Sequence, residues 1–139
     1  MRPDVKKALE NKCAVLALES TILAHGMPFP DNYEFAKRAE KIALELDVVP
    51  ATIAIINGEI KIGLHKEDLE FICKEPGIIK TSLSDLSVTV AGGKSGATTV
   101  SATMHLAYLS GVRVFSTGGI GGVHHDYETN MDLSQDLIA

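Results

Sequence analysis

The chain has 139 residues, with 13 Lys and Arg against 18 Asp and Glu and a formal charge of −5. That length allows one buried core but falls short of the roughly 200 residues or more that a complete eight-stranded α/β barrel needs. A content of 45% hydrophobic and 22% charged residues excludes a disordered or collagen-like chain, and an acidic balance without a Lys/Arg block argues against nucleic-acid binding.

Residues 4–11 form a short polar helical lead, and Ala14-Val15-Leu16-Ala17-Leu18 is a continuous apolar run expected as a buried strand. The run ends in Glu19-Ser20-Thr21, and open α/β sheets bind ligands beyond the carboxyl ends of their strands. Pro28 and Pro30 keep residues 25–30 out of a helix, so an ordered loop is expected there. Asp31 or Asn32 can cap a helix over about 33–46, where Phe35, Ala36, Ala39, Ile42, Ala43 and Leu46 share one face. Residues 52–56, the Asn57-Gly58 turn and residues 59–64 read as an antiparallel hairpin.

Leu69, Ile72 and Cys73 define a helix over 66–74 that Pro76-Gly77 ends. Short strands are expected at 78–80 and 87–90, a helix over about 97–109, and a buried strand over 112–115 that runs into the glycine-rich segment 116–122. Near the end, Asp132 or Ser134 would cap a helix whose apolar face has barely begun. Cys13 and Cys73 form no C-x-x-C pair, so neither a disulfide framework nor a zinc site is expected and a reducing, cytoplasmic setting is the default. Glu19 interrupts the first apolar run, so no membrane span or signal peptide is expected.

Two nucleotide signatures fail. The residue six before Lys94 is Val88 rather than the glycine of a Walker A loop, and His124 stands where the third glycine of a dinucleotide fingerprint belongs. The turn over 91–99 still suits a phosphate or carboxylate through its backbone N–H groups, or is a bare turn with no ligand. Glu19 is either half-buried, with a raised pKa suited to acid–base work, or swung out to solvent. His124, His125, Asp126, Glu128 and Asp132 have the composition of a hard-cation site for Mg²⁺ or Mn²⁺, or of a solvated loop.

Three segments together are specific. Residues 15–22 (VLALESTI) with His25-Gly26-Met27-Pro28-Phe29-Pro30, residues 49–56 (VPATIAII), and Gly96-Ala97-Thr98-Thr99-Val100 with residues 117–124 (TGGIGGVH) strongly resemble the pseudouridine-5′-phosphate glycosidases, known also as indigoidine synthase A proteins. The resemblance runs from about Asp4 to the last residue. It implies an α/β fold, layered α/β/α with a mixed sheet, of which residues 1–139 would be an incomplete N-terminal portion. It also implies reversible cleavage of the C–C glycosidic bond of pseudouridine 5′-phosphate to uracil and ribose 5-phosphate, with Mn²⁺ and with homo-oligomerisation of the full-length protein. A C-glycoside lacks a leaving-group heteroatom, so two carboxylates alone would be poor catalysts; the family opens the ribose ring and holds it as a Schiff base on a lysine.

By position, the resemblance makes Glu19 the general acid, Lys80 a substrate-binding lysine, Val100 a main-chain substrate contact and Asp132 the metal-binding aspartate. Ser134, Gln135 and Asp136 match a substrate-binding stretch, and His124 a pocket histidine. The family's Schiff-base lysine falls beyond Ala139, in proteins more than twice this length, and no lysine here substitutes for it. The expectation is therefore a chain with little or no activity alone, its open strand edges and uncovered helix faces favouring aggregation. A non-catalytic phosphosugar- or nucleotide-binding protein that keeps the pocket loops is the alternative, as is a structural half that needs a separately supplied second half.

Overall fold

The computed structural model describes residues 1–139 except His124, Asp126 and Asp132. Strand β2 (Val49–Ile56) is the centre, buried from Pro50 to Ile55. Strand β1 (Val15–Leu18) pairs with its first half in parallel, Leu18 opposite Thr52. Its second half has Ala54 between two antiparallel neighbours, Lys61 of β3 (Glu59–Ile62) on one side and Ala97 of β5 (Gly96–Thr98) on the other. Strand β4 (Ile79–Thr81) adds parallel to β5, and β6 (Val114–Ser116) parallel to β1, giving the order β4-β5-β2-β1-β6.

These registers make β1 and β5 run toward each other along one edge of β2 and meet at Ile53. A carbonyl at such a junction loses its ladder partner, and buried polar groups are costly unless paired. Two hydroxyls solve the problem: Ser20 Oγ and Thr98 Oγ1 each donate to the Ile53 carbonyl at 2.7 Å. Ser20 Oγ also accepts the Thr98 N–H at 2.8 Å, and Thr103 Oγ1 donates to Thr98 Oγ1 at 2.8 Å. Ser20, Thr98 and Thr103 are all fully buried.

Successive β2 side chains face opposite ways. Ala51 and Ile53 join a cluster with Val5 and Ala8 of α1 (Pro3–Glu10) and Leu106 and Ala107 of α5 (Val100–Leu109). Ala54 joins Ala36 of α2 (Asp31–Glu45) and Leu69 and Ile72 of α3 (Lys66–Lys74). The mixed sheet is thus layered by helices on both faces, as the sequence implies. The hairpin turn also forms as read, with positive φ at both Asn57 (49°) and Gly58 (78°).

Several local expectations are corrected. Residues 87–90 lie in a helix, α4 (Leu86–Ala91), not a strand. Asp85 Oδ2 accepts the Ser82 N–H at 3.0 Å, and this capping-box turn starts helical geometry that outweighs the β-branched run. Residues 96–98 are β5 rather than a helix start. At Gly96 a Cβ would sit 2.2 Å from Thr81 Oγ1, so β4 and β5 approach only because glycine is there. Part of the expected 25–30 loop belongs to a π-helical turn, Ile22–Gly26.

Neither Asp31 nor Asn32 is the N-cap of α2, which is Pro30 without a side-chain cap, although Asn32 Oδ1 accepts the adjacent Tyr33 N–H at 2.7 Å. Asn32 is buried, and its Nδ2 donates to the carbonyls of Leu23 (2.6 Å) and Cys73 (2.8 Å), tying the π turn to α3. The buried stripe of α2 is Asn32, Ala36 and Ala43, while Phe35, Ile42 and Leu46 are 44, 48 and 70% exposed. No helix among the described residues is long and apolar enough to cross a membrane.

Candidate functional site

The carboxyl ends of β1, β4 and β5 converge on the Ile53 junction, with β6 ending alongside β1. A cavity of about 510 Å³ opens there, where α/β sheets bind ligands. It gathers Glu19 from the end of β1, Lys80 from β4, Val100 from the first turn of α5, and Ser134, Gln135 and Asp136 from the tail. His124 and Asp132 lie outside the described residues, so their placement is not described. Among the described residues no group of three His, Cys, Asp or Glu could hold a metal ion.

Glu19 is half-buried. An apolar groove of about 260 Å³ lies on its other side, lined in part by Leu18, Ile22, Phe35 and Ala39. Burial pushes its carboxyl above the usual glutamate range, and the Asp136 charge adds to this; a Thr117 hydrogen bond and the Lys80 charge pull the other way without reversing it. The Thr117 hydroxyl lies against Glu19 Oε1. A glutamate retaining its proton longer than usual is a better general acid near neutrality.

Asp136 is the opposite kind of carboxylate. Its Oδ1 accepts the Ser101 N–H at 2.8 Å in the first turn of α5, and its Oδ2 accepts the Gly121 N–H at 3.0 Å. Burial acts to raise its pKa, but these N–H groups with the Ser101 and Ser134 hydroxyls hold it below the ordinary aspartate value. The helix end favours the negative charge as well. Asp136 thus bolts the tail to α5, whose own flanking residue Thr99 makes no side-chain cap, and to the glycine segment. At Gly121 a Cβ would fall 2.1 Å from Ser134 Oγ and 2.9 Å from Asp136 Oδ2.

The turn over 91–99 is not part of this cavity at its glycines. Lys94 carbonyl accepts the Gly58 N–H at 2.9 Å, and Ser95 Oγ accepts the Asn57 N–H at 2.9 Å. The turn packs on the β2–β3 hairpin, at the amino end of β5, while α5 begins on the cavity side. Thr21, Ser82, Asp85 and Thr99 also line the cavity; Thr21 belongs to the polar carboxyl end of the first strand and Thr99 to the 91–99 turn, whereas Ser82 and Asp85 carry no signal by residue type. Ser82 follows β4, a strand end that the expected 78–80 strand already approaches, and Thr99 follows β5, whose end is hidden because residues 97–98 read as the start of a helix.

Fold and cavity together define an α/β domain with a polar cavity at the carboxyl ends of its strands. Residues 4–139 match the family described as indigoidine synthase A like protein, and the chain belongs to that family. It is 56% identical over 134 residues to a pseudouridine-5′-phosphate glycosidase of Caldanaerobacter subterraneus subsp. tengcongensis, covering 96% of this chain and 44% of that protein. With the Escherichia coli protein of the same name it shares 52% over 136 residues, 97% of this chain and 44% of the relative. The crystal structure of the prealnumycin C-glycosynthase AlnA in complex with ribulose 5-phosphate superposes with a TM-score of 0.86 at 37% identity, covering 99% of this chain and 44% of that one. An indigoidine synthase A-like protein from Thermotoga maritima superposes at 0.83 and 39% identity, covering 91% and 42%. The chain therefore spans less than half the length of the relatives it matches.

Proposed function

We propose that these residues supply part of a pseudouridine-5′-phosphate glycosidase site in a longer protein of the family. The reaction consumes water and pseudouridine 5′-phosphate and yields uracil and ribose 5-phosphate, a lyase-type cleavage through a lysine Schiff base. The observation that carries the reading is Glu19, a carboxyl raised by burial and facing a cavity that also holds Lys80 and the Val100 end of α5. In this reading Glu19 gives its proton to the ribose ring oxygen as the ring opens, and Lys80 attracts the anionic phosphosugar. Val100 offers its backbone, and Ser134, Gln135 and Asp136 close the pocket from the tail side.

Mn²⁺, when bound, would supply positive charge to substrate oxygens. Asp132 is the ligand we assign to it, on the position it shares with the family's metal-binding aspartate. His124 is assigned to the pocket. Self-association of the full-length protein belongs to the same proposal, as does a role in nucleoside catabolism.

Uracil release from pseudouridine 5′-phosphate with Mn²⁺ tests this. The full-length parent should turn over, and Glu19→Gln in it should lower kcat by about two orders of magnitude; an unchanged rate removes Glu19 from the mechanism. The 139-residue chain, in which no lysine matches the Schiff-base position, should release little or no uracil, and robust turnover would overturn the need for that lysine. The second reading, a phosphosugar-binding protein without catalysis, is favoured by the ribulose 5-phosphate bound to AlnA. Calorimetric binding of ribose 5-phosphate to the isolated chain, together with an inactive parent, would support it.

A further inference from the structure

The Thr117 hydroxyl has three neighbours and one proton. It accepts the Gly119 N–H at 3.2 Å, approaches the Gly119 carbonyl at 2.9 Å, and lies against Glu19 Oε1. A hydroxyl donates once and accepts twice, and a carbonyl only accepts. All three contacts are therefore satisfied together in one arrangement alone. Thr117 gives its proton to the Gly119 carbonyl, and Glu19, carrying its own proton, donates to Thr117. If Glu19 is ionised, a carboxylate accepts only, so the Thr117 proton turns to it and the Gly119 carbonyl is released to water.

We propose that Thr117 is a positioning residue for Glu19, its hydroxyl proton going to Gly119 when Glu19 is neutral and to Glu19 when it is ionised, so that the glycine segment 118–121 responds to the charge of the acid. The proposal builds on the reading of Glu19 as an acid but concerns a coupling that can be measured without catalysis. The segment is placed to respond. Gly119 and Gly121 line the cavity with Glu19, and Gly121 is fixed at its far end by Asp136, so a change at Gly119 is confined to the wall between the two carboxylates. Among the described residues, the charged groups acting on Glu19 are Lys80 from β4 and Asp136 from the tail, whereas the π turn and α2 present apolar side chains to it. Asp136 titrates below the ordinary aspartate value and Glu19 above the ordinary glutamate value, so their effects separate along the pH axis.

The test is NMR on the intact 139-residue chain, following the Glu19 side-chain carboxyl carbon and the Gly119 amide through an acid titration. The Gly119 amide should move with the Glu19 midpoint in the wild type and in Thr117→Ser, which restores the hydroxyl. It should lose that step in Thr117→Val and in Glu19→Gln. A Gly119 amide that ignores the Glu19 titration in the wild type overturns the proposal, as does an unchanged step in Thr117→Val. If Thr117→Val does not fold, persistence of the step in Glu19→Gln overturns it equally. Gly119 following Glu19 at an unraised midpoint would support the coupling while counting against the acid role, so the two ideas fail separately.

Discussion

The two glycine-rich segments of the chain look alike in composition and differ in what they do. The first, with Gly92, Gly93 and Gly96, leads into β5 and packs on the β2–β3 hairpin. The second, with Gly118, Gly119, Gly121 and Gly122, follows β6 and forms a wall of the cavity. What separates them is the end of the strand they adjoin. The first lies at the amino end of β5 and serves packing; the second lies at a carboxyl end, where the sheet leaves room for a ligand. Glycine content alone carries no functional meaning here.

Substitutions can sharpen or break that contrast. Gly96→Ala should have the largest effect on folding, about 2–3 kcal/mol of lost stability, because its Cβ would meet Thr81 at 2.2 Å and Thr89 at 3.0 Å. Urea denaturation measures it, and a variant as stable as the wild type would mean that β4 and β5 can separate freely. Asp136→Asn should cost about 1 kcal/mol through its N–H partners to Ser101 and Gly121. Its folded pKa is depressed, so the stabilisation is present above the ordinary 3.8 and is lost as pH falls through the lower folded value. The gap between wild-type and Asp136→Asn melting curves should therefore close in acid; a gap independent of pH would show that charge is irrelevant at this latch. Lys94→Ala, in the first segment, should change stability by less than about 0.5 kcal/mol and leave ribose 5-phosphate binding untouched. A loss of binding in calorimetry would return the first segment to the functional site.

Much of the frame is legible in the residues because burial imposes a period. The apolar run at 14–18, the Asn57-Gly58 turn and the spacing of Leu69, Ile72 and Cys73 each correspond to a formed element. Ser87 to Val90 misleads because its β-branched side chains favour strand, while the decisive information sits upstream in Ser82 and Asp85. Strand β5 is silent for another reason: three residues of small side chain have no period, and their state is decided by β2 and β4 on either side. At the site, Glu19 stands out locally as a carboxylate ending an apolar run. Asp136 and Thr117 do not, since their partners are 35 and 98 residues away, and no spacing rule reaches across such distances.

The meeting of β1 and β5 at Ile53 also bears on how the molecule comes into being. The Ile53 carbonyl receives hydroxyls from residues 33 positions before it and 45 positions after it, and neither can be delivered by local chain segments. Long loops must close before these contacts repay the entropy, which makes such topologies slow to fold compared with helical bundles. The same closure brings Glu19 to the cavity rim. A chain that has not completed its sheet therefore has no pocket, and forming the cavity becomes a late event in the life of each new molecule.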